Sequence, residues 1–286
     1  MKKLLTLVLS LMLAASAAPT AVFAETGEDL SEATIEIENA TYIFNGKAHE
    51  PGVSVSLGTR TLKEGEDYTV SYVNNVKAST ATTPNKIVIT GMGKYGGTKT
   101  LEFRIKGRPN RIVTGADSYT KYLTSKEFSL DAEAAEAKQL IYTSGNEEVV
   151  TVSNTGRVTV KGTGVATITI KTSGTTEFEP AEKTVTVTVK PLKPVVTLTS
   201  PEKKQVKVTW TKQEGAARYQ VRYGRQGKYY YKTCKHIDSE FTKTYTYLNN
   251  RTSGKTYYIK VRSITEMPDG TIVYGNWSPV QKIKSK

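Results

Sequence analysis

The chain has 286 residues, 37% of them hydrophobic, a formal charge of +13 and a lone cysteine, Cys234. A lone cysteine excludes an intramolecular disulfide, so each folded part must be held by its own apolar core. The charge is stepped: residues 191–286 hold 19 Lys and Arg against 6 Asp and Glu, residues 25–107 hold 9 against 11, and residues 108–190 hold 10 against 10. That step excludes an evenly charged chain and marks the last module as suited to an anionic partner or setting.

At the N-terminus, Met1-Lys-Lys3 is a short basic head, Leu4 to Leu13 is apolar apart from Thr6 and Ser10, and Val22-Phe-Ala24 places small residues at −3 and −1 of a cleavage site. This pattern predicts a secretory signal peptide, residues 1–24, cut near Ala24. Pro19 and the small residues around it interrupt the ~20-residue helix that a membrane anchor would need. No second apolar stretch of that length follows, and Lys282-Ile-Lys-Ser-Lys286 carries no hydrophobic tail. The expectation is a secreted, extracellular protein with no integral membrane span in the mature chain. Any association with a surface would be non-covalent.

Beyond residue 24 helical periodicity is nearly absent. Asp131-Ala-Glu-Ala-Ala-Glu-Ala137 is the one stretch able to form more than a turn or two of helix. Elsewhere the apolar period is two: Val206, Val208 and Trp210 alternate with Lys207 and Thr209, and Val185, Val187 and Val189 alternate with threonines. Gly, Asn, Asp and Pro punctuate the runs, which points to all-β sandwiches and away from an α/β fold. Lys106-Gly-Arg-Pro-Asn110 and Lys190-Pro-Leu-Lys-Pro194 read as linkers, the second stiffened by its prolines. The predicted architecture is three tandem immunoglobulin-like or fibronectin-like β-sandwiches, residues 25–107, 108–190 and 191–286, in an elongated arrangement after the leader.

The first module carries Tyr42-Ile-Phe-Asn-Gly-Lys47, Leu62-Lys-Glu-Gly-Glu-Asp-Tyr68, Tyr72-Val-Asn-Asn75, Gly91-Met-Gly-Lys-Tyr-Gly-Gly97 and Phe103-Arg-Ile105. It is similar to short β-rich repeats of Gram-positive surface proteins, although Lys77 to Pro84 lacks the glycine expected after the paired asparagines. The second carries Phe128-Ser-Leu130, Tyr142-Thr-Ser-Gly-Asn146, Val149-Val-Thr-Val-Ser153, Gly156-Arg-Val-Thr-Val160 and Gly162-Thr-Gly-Val-Ala-Thr-Ile-Thr-Ile170. It resembles a group 2 bacterial immunoglobulin-like domain, and the alternation puts Ala166, Ile168 and Ile170 in a core. The third carries Val206-Lys-Val-Thr-Trp210, Tyr219-Gln-Val-Arg-Tyr223, Gly254-Lys-Thr-Tyr-Tyr-Ile-Lys-Val-Arg262 and Tyr274-Gly-Asn-Trp-Ser278. It resembles a fibronectin type III domain, with Tyr257 as the corner tyrosine of such sandwiches. The resemblances imply a non-catalytic extracellular protein and assign no ligand.

Most short motifs dissolve on inspection. Gly91-Met-Gly-Lys-Tyr-Gly96 fits G-x-G-x-x-G, but Thr98 to Ile105 alternates like a strand, so a turn between strands is expected rather than a dinucleotide loop. Gly254-Lys-Thr256 lacks the upstream glycine of a phosphate loop, since position 249 is Asn. Cys234 and His236 are near in sequence, but zinc needs three or four ligands and His49, the other His, lies two modules away. Glu147-Glu148 and the group Glu64, Glu66, Asp67 read as solvated turns, too sparse for calcium, with Asp67 capping a turn. No Ser, His and Asp set fits within a module. The reading is therefore not an enzyme, with no catalytic residues, no cofactor and no metal.

The basic, aromatic third module remains. If Tyr219, Val221 and Tyr223 face the core, then Arg222 points outward beside Tyr258, Lys260 and Arg262, and Lys282 and Lys284 follow on the last strand. Tyr229, Tyr230 and Tyr231 fall near the edge of that sheet. This face is expected to bind an anionic cell-wall polymer or an extracellular glycan or protein, with tyrosine rings available for stacking on sugars. Nucleic acid is not the expected partner of an exported chain. The functional expectation is an adhesin-like binding and spacer protein. The alternative is a carbohydrate-binding accessory protein working beside separate secreted enzymes.

Overall fold

The structure, a computed structural model, describes residues 28–134, 136, 139–225, 230–235 and 243–286, with residues 230–235 described by their backbone. The expected leader up to Ala24 lies outside the described residues. The chain is all-β, with one 3-10 turn, Leu30–Glu32, among the described residues, and it forms tandem sandwiches. Two compact units meet at the Lys106–Gly107 bond.

In the first unit, Thr98–Lys106 is central to a four-stranded sheet: it pairs parallel with Thr41–Ile43 and antiparallel with Asn85–Gly91, which pairs onward with Tyr68–Val73. A second sheet of Thr34–Ile37, Val53–Leu57 and Arg60–Thr61 supplies the other side of the core. Ile87, Ile89 and Ile105 are wholly buried against Val55, Leu30 and Phe103. Alternation alone places these side chains inward, and each buried Ile contributes about 1.5–3 kcal/mol. The G-x-G-x-x-G run is a turn leading through the short strand Tyr95–Gly96 into Thr98–Lys106, so no helix N-terminus follows it. Asp67 caps its turn by accepting the Lys63 N–H at 2.9 Å.

Asn85, with no exposed surface, ties down the segment after the paired asparagines. Its amide donates to the carbonyls of Asn74 and Lys77, and its Oδ1 accepts the Ile105 N–H at 2.8 Å. A buried amide with its partners in place fixes a loop that lacks the expected glycine.

The second unit holds two cores. In the first of them, Ser118–Tyr122, Ala181–Lys190, Gly164–Thr172 and Ile141–Ser144 form one sheet and Phe128–Ser129, Arg157–Val160 and Val150–Val152 the other. Ala166, Ile168 and Ile170 enter the core, as do Val185, Val187 and Val189. Within the helix-permitting stretch, Glu133–Ala134 is a strand paired with Ile112–Val113. Pairing with an available edge overrides the weak helical preference of a short alanine-rich run.

The last sandwich sets Val196–Thr199, Val206–Trp210 and Tyr245–Leu248 against a sheet containing Tyr230–Lys235, Arg218–Gly224 and the long strand Thr256–Glu266. Val206, Val208 and Trp210 from one sheet meet Tyr219, Val221, Ile259 and Val261 from the other, and the Trp210 and Tyr219 rings lie 5.4 Å apart. Thr256–Glu266 is flanked along its two halves by different strands, Gln281–Lys284 on Thr256–Ile259 and Ile272–Tyr274 on Ile264–Glu266.

The two sandwiches of this unit are joined by more than Lys190–Pro194. Thr163 Oγ1 donates to the Gly215 carbonyl at 3.0 Å and lies 2.9 Å from Thr265 Oγ1. The Val165 N–H points at Met267 Sδ at 3.1 Å, and Asn276 Nδ2 donates to Tyr122 Oη at 2.7 Å. Met267 belongs to the last sandwich yet packs against the core of the one before it.

Candidate binding face

The long strand Thr256–Glu266 organises the site. Tyr257, Ile259 and Val261 are buried, so Tyr258, Lys260 and Arg262 take the outer face. Register places Arg222 directly beside Lys260 and Gln220 beside Arg262. On the other flank Lys282 is beside Tyr258 and Lys284 beside Thr256. Six of the residues expected from sequence, Arg222, Tyr258, Lys260, Arg262, Lys282 and Lys284, therefore share one face of one sheet. Tyr229 lies outside the described residues. Tyr230 and Tyr231 open the neighbouring strand opposite Tyr223 and Arg222, with their side chains outside the description.

Sequence reasoning missed two aromatic members of this face. The Arg262 guanidinium carbon lies 3.9 Å from the Tyr274 ring centroid and 4.6 Å from that of Trp277, while Lys260 Nζ lies 4.9 Å from Trp277. Arg262 Nε also donates to Gln220 Oε1 at 2.9 Å. These cations are held over ring faces whose quadrupoles attract them.

The segment Tyr274-Gly-Asn-Trp-Ser278 explains how the rings arrive there. The chain leaves regular pairing after Tyr274 and runs on along the same edge of the long strand until pairing resumes at Gln281. Ser278 is clamped on the way: its N–H donates to the Val261 carbonyl at 2.8 Å and its Oγ accepts the Val261 N–H at 3.0 Å. Gly275 is required by close approach, since a Cβ there would stand 2.7 Å from Ser263 Oγ and 2.8 Å from the Pro191 carbonyl. The signal that marked the fold in the sequence, Tyr-Gly-Asn-Trp-Ser, also builds the aromatic half of the face.

Beneath the face, Tyr257 acts as the corner: its Oη accepts the Thr252 N–H at 2.8 Å. Burial opposes ionisation of this phenol, but the hydrogen bonds with Thr252 and the nearby Arg251 and Arg225 outweigh it and hold its pKa below the usual tyrosine range. The corner fixes the loop from Leu248 into the long strand and so the register of everything on the face.

Other candidates from the sequence do not converge. Cys234 lies in the strand paired opposite Tyr219, and His236 is outside the described residues. His49 stacks against Tyr42 in the first unit, with ring centroids 4.5 Å apart. Glu147 and Glu148 sit in a turn where Asn146 Oδ1 accepts the Glu148 N–H at 3.1 Å. Among the described residues, no three His, Cys, Asp or Glu side chains are grouped to hold a metal ion. Among the same residues, no helix is long and apolar enough to cross a membrane.

The family of bacterial Ig-like domains, group 2, matches residues 113–185. No curated protein matches the chain. Similar solved structures include domains A168–A170 of titin (14% identity, 89% of this chain and 99% of that chain, TM-score 0.27). The FN1–FN3 domains of chicken CNTN1 are similar at 14% identity over 88% of this chain and 98% of that one, with a TM-score of 0.29. A two-domain fibronectin type III segment of chicken tenascin is similar at 12% identity over 77% and 98%, with a TM-score of 0.34. The Ig-like family is typically extracellular and non-catalytic, and its match falls on the middle one of the three cores.

Proposed function

We propose that this is an exported, non-catalytic binding and spacer protein of adhesin type, whose last sandwich contacts an anionic wall polymer or glycan through the Arg222–Lys260–Arg262 face. The observation that carries this reading is the direct register pairing of Arg222 with Lys260. Two cations side by side on adjacent strands, with Arg262 next along the same face, concentrate positive potential where an anionic chain would lie. Lys282 and Lys284, both exposed, extend the cationic face along the last strand. In an exported protein the nearest polyanions are wall teichoic acid, anionic glycans and lipid head groups. The N-terminal pattern of a basic head, apolar run and Ala24 supports export.

The test is to titrate the purified protein against cell-wall preparations with and without teichoic acid over a salt series. Binding should weaken with salt as counterions compete. It should fall with the Arg222→Glu, Lys260→Glu, Arg262→Glu triple change and with Lys282→Glu, Lys284→Glu. Binding unchanged by salt and by both sets of changes would refute the proposal.

A further inference from the structure

The last sandwich has a second outer face, on the three-stranded sheet opposite the one just described. Along Tyr245–Leu248 the alternation buries Thr246 and Leu248 and leaves Tyr245 and Tyr247 exposed at 36% and 37%. Among the described residues, both rings are on an edge strand of the sheet. They meet edge to face with centroids 5.8 Å apart. Register sets Lys207 beside Tyr247 and Thr209 beside Tyr245, and on the far strand Thr199 and Thr197 continue the same two rows.

Lys207 is half-buried, with Nζ 4.9 Å from the Tyr245 centroid and 5.7 Å from that of Tyr247, while Lys243 Nζ lies 5.9 Å from Tyr245. None of the three strands Val196–Thr199, Val206–Trp210 and Tyr245–Leu248 contains an Asp or Glu. The face therefore combines two exposed rings, an ammonium group held between them, a flanking second one, and threonine hydroxyls along the strands. Phenol rings take the C–H face of a sugar, hydroxyls exchange hydrogen bonds with sugar hydroxyls, and the ammonium groups select for an anion. A polyol phosphate offers no sugar-ring face to the tyrosines. A neutral glycan offers no charge to Lys207.

We propose that this face is a separate binding site for an acidic polysaccharide, a chain of pyranose rings bearing carboxylates, with Tyr245 and Tyr247 stacking on the sugars and Lys207 pairing with the carboxylate. The site is independent of the Arg222–Lys260–Arg262 face, and the two fail separately.

The experiment is affinity electrophoresis of the full-length protein in gels containing polygalacturonate, alginate or hyaluronan. Methyl-esterified polygalacturonate serves as the same sugar without the charge, and inorganic polyphosphate as charge without sugar. The expected result is retardation by at least one acidic polysaccharide. The Tyr245→Ala, Tyr247→Ala pair should weaken it about tenfold or more, the sum of two lost ring contacts. Tyr245→Phe, Tyr247→Phe should keep it, Lys207→Gln should weaken it, and the esterified polymer should bind less well than the acid form. Lys282→Glu, Lys284→Glu on the other face should leave the tyrosine-dependent retardation in place, and any polyphosphate retardation should be insensitive to the tyrosine changes. If the alanine pair unfolds the sandwich, seen as exposure of Trp210 fluorescence, the Lys207→Gln and phenylalanine variants decide. No retardation by any of the three polysaccharides overturns the proposal. So does wild-type affinity in both the folded alanine pair and Lys207→Gln, or equal binding of the esterified and acid polymers.

Discussion

Removing the guanidinium of Arg262 separates what the candidate face contributes to folding from what it contributes to binding. In the structure that group lies 3.9 Å from the Tyr274 centroid and 4.6 Å from that of Trp277, and its Nε donates to Gln220 at 2.9 Å. Each cation–ring contact on an open face is worth about 0.5–1 kcal/mol, and a hydrogen bond from a charged donor about 1.5 kcal/mol. These add to about 2.5–3.5 kcal/mol, and screening by solvent at the sheet surface brings the expected cost of Arg262→Ala to about 2–3 kcal/mol. Residues 107–286 form one compact unit, and in a unit of that size each kcal/mol moves the melting temperature by about 2–4 °C, so a drop of about 4–12 °C is expected. Arg262→Lys keeps the charge and one cation over the rings but loses the planar stack, and should cost about half as much. Calorimetry supplies the melting temperatures, and fluorescence of Trp277 should shift in both variants as its cationic neighbour changes. Binding to an anionic polymer should follow charge instead, being largely kept in Arg262→Lys and reduced in Arg262→Ala. An Arg262→Ala protein melting within about 1 °C of the wild type would refute the reasoning that the aromatic stack holds this face in place.

Asn85→Ala leaves the buried Ile105 N–H without its acceptor and should cost the first unit about 2–4 kcal/mol. Denaturation followed by far-UV circular dichroism should show it, while tryptophan fluorescence should not, because both tryptophans, Trp210 and Trp277, lie in the last sandwich. Gly164→Ala places a Cβ 2.9 Å from Val149 Cγ2 and 3.1 Å from Met267 Sδ at a backbone φ of +148°, and should destabilise the second unit by about 1–3 kcal/mol in chemical denaturation. Met267→Ala in the same protein should recover part of that loss, since it clears one of the two obstructions. Asp117 is hydrogen bonded and paired with Lys183 Nζ at 2.5 Å, which holds its pKa below the usual carboxylate range. Its contribution is present above the unfolded value and fades as pH falls through the lower folded value, so Asp117→Asn should lower stability slightly at neutral pH, leave it unchanged in strong acid, and so flatten the acid limb of a stability–pH curve.

Period-two alternation made the sandwiches legible, because inward and outward positions follow from the pleat. Val206, Val208 and Trp210 needed no tertiary information, and neither did the outward set Tyr258, Lys260 and Arg262. The corner role of Tyr257 was legible from its position at the start of a strand. What could not be read was whatever depends on a chain returning from a distance. Trp277 reaches Arg262 because Ser278 clamps an irregular segment along the edge of the long strand. The Asn85 clasp gathers carbonyls from Asn74 and Lys77 and an amide from Ile105. Lys190 to Pro194 reads as a stiff linker, but Thr163, Gly215, Thr265 and Met267 meet beside it, and no local pattern announces them. Glu133–Ala134 is instructive too, since a helix-permitting composition yields to an open strand edge within the all-β fold.

The central claim is that an anionic polymer is held on the face built by Thr256–Glu266 and its neighbours. Competitive acetylation of lysines, read by mass spectrometry with and without teichoic acid, tests it most directly. The account predicts that Lys260, Lys282 and Lys284 become protected while Lys47 and Lys63 in the first unit label as before. Uniform labelling, or protection confined to residues away from that face, would contradict it.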